Sequence, residues 1–159
     1  MLKLLDQRKI KENWETYKEP LKEAMCSTEG ALFFMSGNTK DILKSILGRL
    51  MNPFNTSMHL WIENDNEYLL LTHIQICEFT NKKTLLLFSL TRTKDVDNST
   101  ILQRWIDGYP VMEKFAKENG CEGITAYTDL PYFTKIAEGL TKSTKIKIIT
   151  RYQYYVPLN

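Results

Sequence analysis

Between Met51 and Met58 the spacing of apolar residues changes from helical to alternating, and no uniform architecture accommodates that change. Before it, Ile42, Leu43, Ile46, Leu47, Leu50 and Met51 fall three and four apart, one face of a helix that Asn38 or Thr39 can cap and Asn52-Pro53 can stop. After it, Met58, Leu60 and Ile62 alternate with His59, Trp61 and Glu63, as in a strand with two different faces. Asn64-Asp65-Asn66 supplies turn chemistry, residues 67–79 read as a second strand, and 80–83 as another turn. Residues 84–92 are almost continuously apolar, which predicts a strand buried on both faces. Three strands joined by short polar turns make an antiparallel meander.

The next strand pattern, residues 123–128, is separated from the third strand by a helix-length segment. Ser99 or Thr100 can cap that helix, Ile101, Leu102, Trp105, Ile106, Tyr109, Met112, Phe115 and Ala116 give it an apolar face, and Gly120 suits its end. Gly108 and Pro110 in its middle predict a bend. A connection this long allows a right-handed crossover, so 123–128 is expected parallel to 84–92. Trp105 is expected in the core.

The ends of the chain are simpler. Ile10, Trp14, Tyr17, Leu21, Ala24 and Met25 form one helical stripe over 10–25, and Pro20 predicts a kink or restart there. Gly30 ends the segment and residues 31–35 read as a buried connector. Asp129 and Pro131 open a last helix with Tyr132, Phe133, Ile136, Ala137 and Leu140 on its apolar face. Residues 146–156 alternate again, and the segment Arg151-Tyr152-Gln153-Tyr154-Tyr155-Val156 is rich in tyrosine. Tyrosines on both faces of a terminal strand fit a protein contact or ordinary edge packing, and both readings stay open.

The expected fold class is α+β, a mixed three-layer domain over residues 1–159, with element order α-α-β-β-β-α-β-α-β. Composition supports a folded core: 43% of residues are hydrophobic and 25% charged. The 21 basic and 19 acidic residues leave a net charge of +2, which implies no dedicated nucleic-acid surface. Apolar runs are too short to cross a bilayer, and Met1-Leu2-Lys3-Leu4-Leu5-Asp6 lacks the apolar core of a signal peptide. Cys26, Cys77 and Cys121 include no Cys-x-x-Cys pair, so reduced, mostly buried thiols and a cytoplasmic location are expected.

Several stretches carry a resemblance. Trp14, Pro20-Leu21 and Ala24 in the first helix, Leu60-Trp61-Ile62, and the tract from Leu85-Leu86-Leu87 through Trp105 to Met112-Glu113-Lys114-Phe115-Ala116-Lys117-Glu118-Asn119-Gly120-Cys121 resemble small GNAT-like proteins encoded by bacteriophages. The element order, over roughly residues 10–156, is similar to the GNAT-type N-acetyltransferase fold without a clear first strand. The resemblance implies an acetyl-CoA site between two parallel strands that splay apart. The pyrophosphate would rest on backbone N–H groups where the central strand leads into the next helix. The residues that match that position are Thr91, Arg92, Thr93, Lys94, Ser99 and Thr100.

The family motif there is Gln/Arg-x-x-Gly-x-Gly/Ala, whose glycines let the backbone approach the phosphates. Residues 90–100 contain no glycine here, and Asp95 and Asp97 add negative charge. Two functions therefore stand against each other. One is an acetyl-CoA-dependent N-acetyltransferase acting on an amine. The other is a GNAT-like protein with a degenerate acyl-CoA site and no cofactor, acting in binding or assembly, in a host cytoplasm or a virion. An unrelated α+β interaction domain is the third reading. The resemblance implies a carboxylate or water as base, for which Glu63 and Glu78 are the strand candidates. It implies a tyrosine acid near position 135, where Lys135 stands, so no catalytic acid is assigned. His59 and His73, on adjacent strands, have no clustered third ligand, and sheet packing is preferred to a metal site.

Overall fold

The computed structural model describes residues 1–26, 39–54, 57–63, 67–93 and 101–126. Its elements are β1 (Lys3–Leu4), α1 (Gln7–Glu12), α2 (Trp14–Cys26), α3 (Thr39–Met51), β2 (Met58–Glu63), β3 (Tyr68–Ile76), β4 (Lys83–Arg92), α4 (Ile101–Glu118) and β5 (Cys121–Ala126). The strands form one sheet in the order β1-β2-β3-β4-β5. The β2-β3-β4 meander is antiparallel, and β5 joins β4 in parallel, from Lys83 opposite Cys121 to Leu87 opposite Ala126. Gly120 ends α4 with φ +72°, the left-handed conformation that only glycine adopts without strain. The last helix and strand expected from the sequence, with the tyrosine-rich segment, lie outside the described residues, as do the connector at 31–35 and the side chain of Trp105.

Two differences from the sequence reading concern the N-terminal region. First, the sheet gains β1, a two-residue strand antiparallel to β2, with Lys3 opposite Ile62 and Leu4 opposite Trp61. So short a strand has no alternation to read, and it is held by its flanks. Leu2 packs into the cluster beneath α4, and Leu5 into the cluster beneath α1–α3. Second, the first helical stripe breaks at Asn13 and not at Pro20. Asn13 closes α1 through its N–H and its side chain, both donating to the Lys9 carbonyl, and Thr16 and Tyr17 then donate to the Asn13 carbonyl to start α2. Pro20 lies inside α2, and Pro110 inside α4, which runs continuously through it. Pro110 is solvent-exposed, so the carbonyl one turn back that it cannot serve faces the wet side of the helix.

The sheet has a core on each face. On one side Tyr17 and Leu21 of α2 and Ile46 and Leu50 of α3 pack on Leu60, Leu69 and Leu71. On the other, Met112 and Ala116 of α4 cover Trp61, Leu70, Ile74 and Leu85. Among the described side chains, those read from the sequence as the apolar faces of α1–α4 are buried or half-buried. Within the second core the indole N–H of Trp61 donates to the Thr72 hydroxyl at 2.9 Å, which satisfies the fully buried threonine.

One irregularity sets how β4 ends. Leu71 is opposite Ser89 but Thr72 is opposite Leu87, so the register skips Phe88. This bulge rephases the strand. Leu85 and Leu87 pack on the α4 side, Phe88 turns to the α1–α3 core, and Leu90 returns to the α4 side. The continuous apolar run was thus rightly read as doubly buried, while the bulge within it carries no sequence signature.

Candidate functional site

Glu63, Tyr68 and Arg92 are successive partners across the sheet, so the end of β2, the start of β3 and the end of β4 meet at one edge of the molecule. Among the described residues β4 extends through 88–92 beyond its last pairing with β5, at Leu87 and Ala126. Of the sequence-derived site residues, the structure brings Thr91, Arg92 and Thr93 to this end. Thr91 is half-buried opposite Leu69, and Arg92 is exposed opposite Tyr68. Thr93 donates its N–H to the Glu67 carbonyl at 2.9 Å, and its hydroxyl is buried without a hydrogen-bond partner among the described residues. Lys94, Ser99 and Thr100 lie outside the described residues.

The strongest polar cluster here centres on a residue that the sequence reading did not select. Arg104, in the first turn of α4, reaches Glu63 with Nη1 3.4 Å from Oε2, and the same nitrogen donates to Glu67. Its guanidinium carbon sits 5.4 Å from the centroid of the Tyr68 ring. The side chains of Arg104, Glu63 and Glu67 are 22%, 13% and 30% exposed, so the pairs are shielded more than ordinary surface pairs. The hydrogen bond to Glu67 raises the guanidinium pKa above its ordinary value, with Coulombic support from both carboxylates. The other oxygen of Glu63 lies 3.4 Å from the Met1 ammonium. Between the cluster and α4 is a slot of about 30 Å³ lined by Leu70, Leu90, Met112, Glu63, Tyr68 and Arg104, among others. The buried Tyr68 hydroxyl has no hydrogen-bond partner among the described residues.

This arrangement bears on the two carboxylates considered as bases. Glu63 is an ion-pair acceptor at both oxygens, a poor starting point for proton abstraction. Glu78 is exposed in the β3–β4 turn, at the opposite end of the sheet from the end of β4. The one signal for the cluster in the sequence was local: Glu63 and Glu67 flank the tight β2–β3 turn, whose ends are joined by the Glu67 N–H donating to the Glu63 carbonyl at 3.2 Å.

The histidines separate. His59 is opposite Thr72 and its ring meets Phe115 of α4 edge-on at 4.8 Å. His73 is opposite Met58, on the α1–α3 face. Among the described residues no group of three or more His, Cys, Asp or Glu could hold a metal ion. Burial lowers the pKa of both histidines below 6.5, aided at His59 by the charge of His73 and at His73 by Arg49. The folded state thus binds fewer protons than the unfolded chain as pH falls through about 6.5, so acid should cost stability there. Denaturant melts at pH about 7.5 and 5.5 should show lower stability at the acid value, and His59→Phe should flatten that difference. An unchanged slope in the variant would remove His59 from the account.

The thiols depart from expectation at one position. Cys77 is exposed in the β3–β4 turn and Cys121 is half-buried at the start of β5; both are free. The Thr80 hydroxyl and the backbone of Thr80 and Phe79 lower the Cys77 pKa. The turn geometry puts Cys77 outside the core, because its N–H and carbonyl close the hairpin with Lys82, Thr80 and Asn81.

No family model and no curated protein matches the sequence. Solved structures do match the fold. A GNAT family acetyltransferase from Staphylococcus aureus subsp. aureus USA300_TCH1516 superimposes with a TM-score of 0.60 at 11% identity, covering 98% of both chains. An aminoglycoside acetyltransferase from an uncultured soil metagenomic sample, in complex with sisomicin, gives 0.59 at 10% identity, over 99% of this chain and 95% of its own. An aminoglycoside N-acetyltransferase in complex with CoA gives 0.57 at 9% identity, over 99% of this chain and 98% of its own. The fold is that of the GNAT acetyltransferases. Among the described residues no helix is long and apolar enough to cross a membrane.

Proposed function

We propose that this GNAT-fold chain, a single domain over residues 1–159, has a degenerate acyl-CoA site and acts as a binding or assembly protein. The observation that carries the reading is the charge at the end of β4. Glu63 and Glu67 stand beside the first residue of the β4–α4 connection, and Arg104 is held by both of them. The connection has no glycine from Leu90 to Thr100 and carries Asp95 and Asp97. A pyrophosphate needs close backbone approach and free positive charge, whereas the connection carries Cβ atoms in place of glycines and the Arg104 guanidinium is paired with two carboxylates. The residues present do not fit the phosphate group, and no acyl-transfer step is assigned to them. The short stretches named above support a bacteriophage origin, with the protein in the host cytoplasm or a virion. The tyrosine-rich 151–156 segment is the proposed protein contact.

A second reading, an acetyl-CoA-dependent N-acetyltransferase of an amine substrate, is favoured by one observation. The structural neighbours include acetyltransferases, one of them with CoA bound, and the β4–β5 pair has the matching parallel geometry. Thermal unfolding with millimolar acetyl-CoA separates the two. A ligand that binds only the native state raises the melting temperature, by an amount set by its concentration relative to Kd. We expect no shift. A rise of several degrees, matched by micromolar affinity in calorimetry and lost in Arg92→Ala, would restore the enzyme reading.

A further inference from the structure

We infer that Glu63 and Glu67 form a charge lock on Arg104, so that neutralising the two carboxylates converts this end of the sheet into a site for phosphate-bearing anions. The inference rests on the reading of a degenerate coenzyme site and supplies its physical cause. Arg104 is the cation at the start of α4 that faces the sheet. Its planar fork is suited to bidentate recognition of a phosphate oxygen pair. In the protein its charge is paired and one end of its fork is engaged: Nη1 serves both Glu63 and Glu67, and the guanidinium carbon lies over the Tyr68 ring. Two carboxylates against the guanidinium and the Met1 ammonium leave the cluster without surplus positive charge.

The lock is built from three separate elements, and this makes it more than a surface pair. Glu63 comes from the end of β2, Glu67 from the turn before β3, and Arg104 from α4, 41 and 37 residues away in sequence. All three side chains are more than two-thirds covered, so their fields are less screened than those of exposed charges. Replacing Glu63 and Glu67 by glutamine keeps shape and hydrogen-bonding capacity while removing two negative charges. The guanidinium then carries uncompensated charge beside residue 67, whose carbonyl accepts the N–H of Thr93 at the end of β4. Held only by neutral amide oxygens, it can turn toward an anion at the end of β4.

The test compares wild type with the Glu63→Gln/Glu67→Gln variant, titrated with inorganic pyrophosphate and with CoA by calorimetry. The variant should bind pyrophosphate at least about tenfold more tightly than wild type, less so as salt is added. Adding Arg104→Met should abolish the gain. Equal binding by wild type and variant, or a gain that survives Arg104→Met, overturns the lock. Wild-type binding of CoA would overturn the degenerate-site reading alone, provided that the double variant still gains over it. Should the variant fail to fold, phenylglyoxal labelling of native wild type decides. Arg104 should react several-fold more slowly than Arg8, whose side chain is 86% exposed. Equal reactivity would show that its guanidinium is not held.

Discussion

Replacing Trp61 by alanine should lower the unfolding free energy by about 3–5 kcal/mol. The residue is 2% exposed, and three contributions combine at this one position. Its ring packs with Leu2, Leu70 and Met112, and its removal would leave a cavity among them. It meets the Phe115 ring edge-on, with centroids 4.8 Å apart and planes at 86°. Its N–H is the donor to the buried Thr72 hydroxyl, which truncation would leave unpaired at a cost of about 1–3 kcal/mol included in that total. The last contribution can be isolated. Trp61→Phe should lose less than Trp61→Ala, and Thr72→Val should be better tolerated beside Trp61→Phe than in wild type. A coupling between those two positions indistinguishable from zero in a double-mutant cycle would refute the hydrogen bond's role. A Trp61→Ala loss under about 1 kcal/mol would refute the packing itself.

The second large effect is expected at the start of the chain. Leu2 and Leu5 are 8% and 6% exposed, yet they belong to the cores on opposite faces of the sheet. Leu2→Ala and Leu5→Ala should each cost about 2–3 kcal/mol. Because the two clusters share no side chain, the losses should add to within about 0.5 kcal/mol. The double variant then loses about 4–6 kcal/mol, comparable to the lower end of the stability of a typical domain at about 5–15 kcal/mol, and should unfold at modest denaturant. Equilibrium urea melts of the four proteins provide the check. Negligible single losses would mean that β1 is not docked, and strong coupling would mean that the two residues act as one unit.

These positions also mark the limit of what local sequence conveys. The meander was legible because alternation in β2 and the turn residues at 64–66 and 80–83 repeat over enough positions to set a phase. The parallel β4–β5 pair was legible because a helix-length connection relates the two strands. By contrast, β1 has two residues and no phase, and its reality depends on the distant Trp61 and Ile62. The bulge at Phe88 is hidden inside a run of apolar residues, where either face is equally suited to burial. Pro20 and Asn13 are a related case. A proline is a strong local signal, but the break fell where an asparagine could close one helix with its side chain and N–H and open the next with its carbonyl.

The candidate site divides in the same way. Thr91, Arg92 and Thr93, which the family resemblance pointed to, could be placed at the end of β4 because a strand end before a helix is readable from the order of elements. Arg104, Glu63 and Glu67 meet only because β2, β3 and α4 converge, and no spacing in the sequence encodes a pairing across some forty residues. The sequence by itself determined which residues are apolar, at what period, and where turns interrupt them, and hence the α+β class, the meander and the glycine-free β4–α4 connection. The tertiary structure decided which face each side chain meets, that a two-residue strand adds to the sheet beside β2, and that an arginine at the start of α4 is neutralised by carboxylates from two other elements. Periodicity is a property of neighbours along the chain, whereas burial, pairing and electrostatic screening depend on neighbours in space.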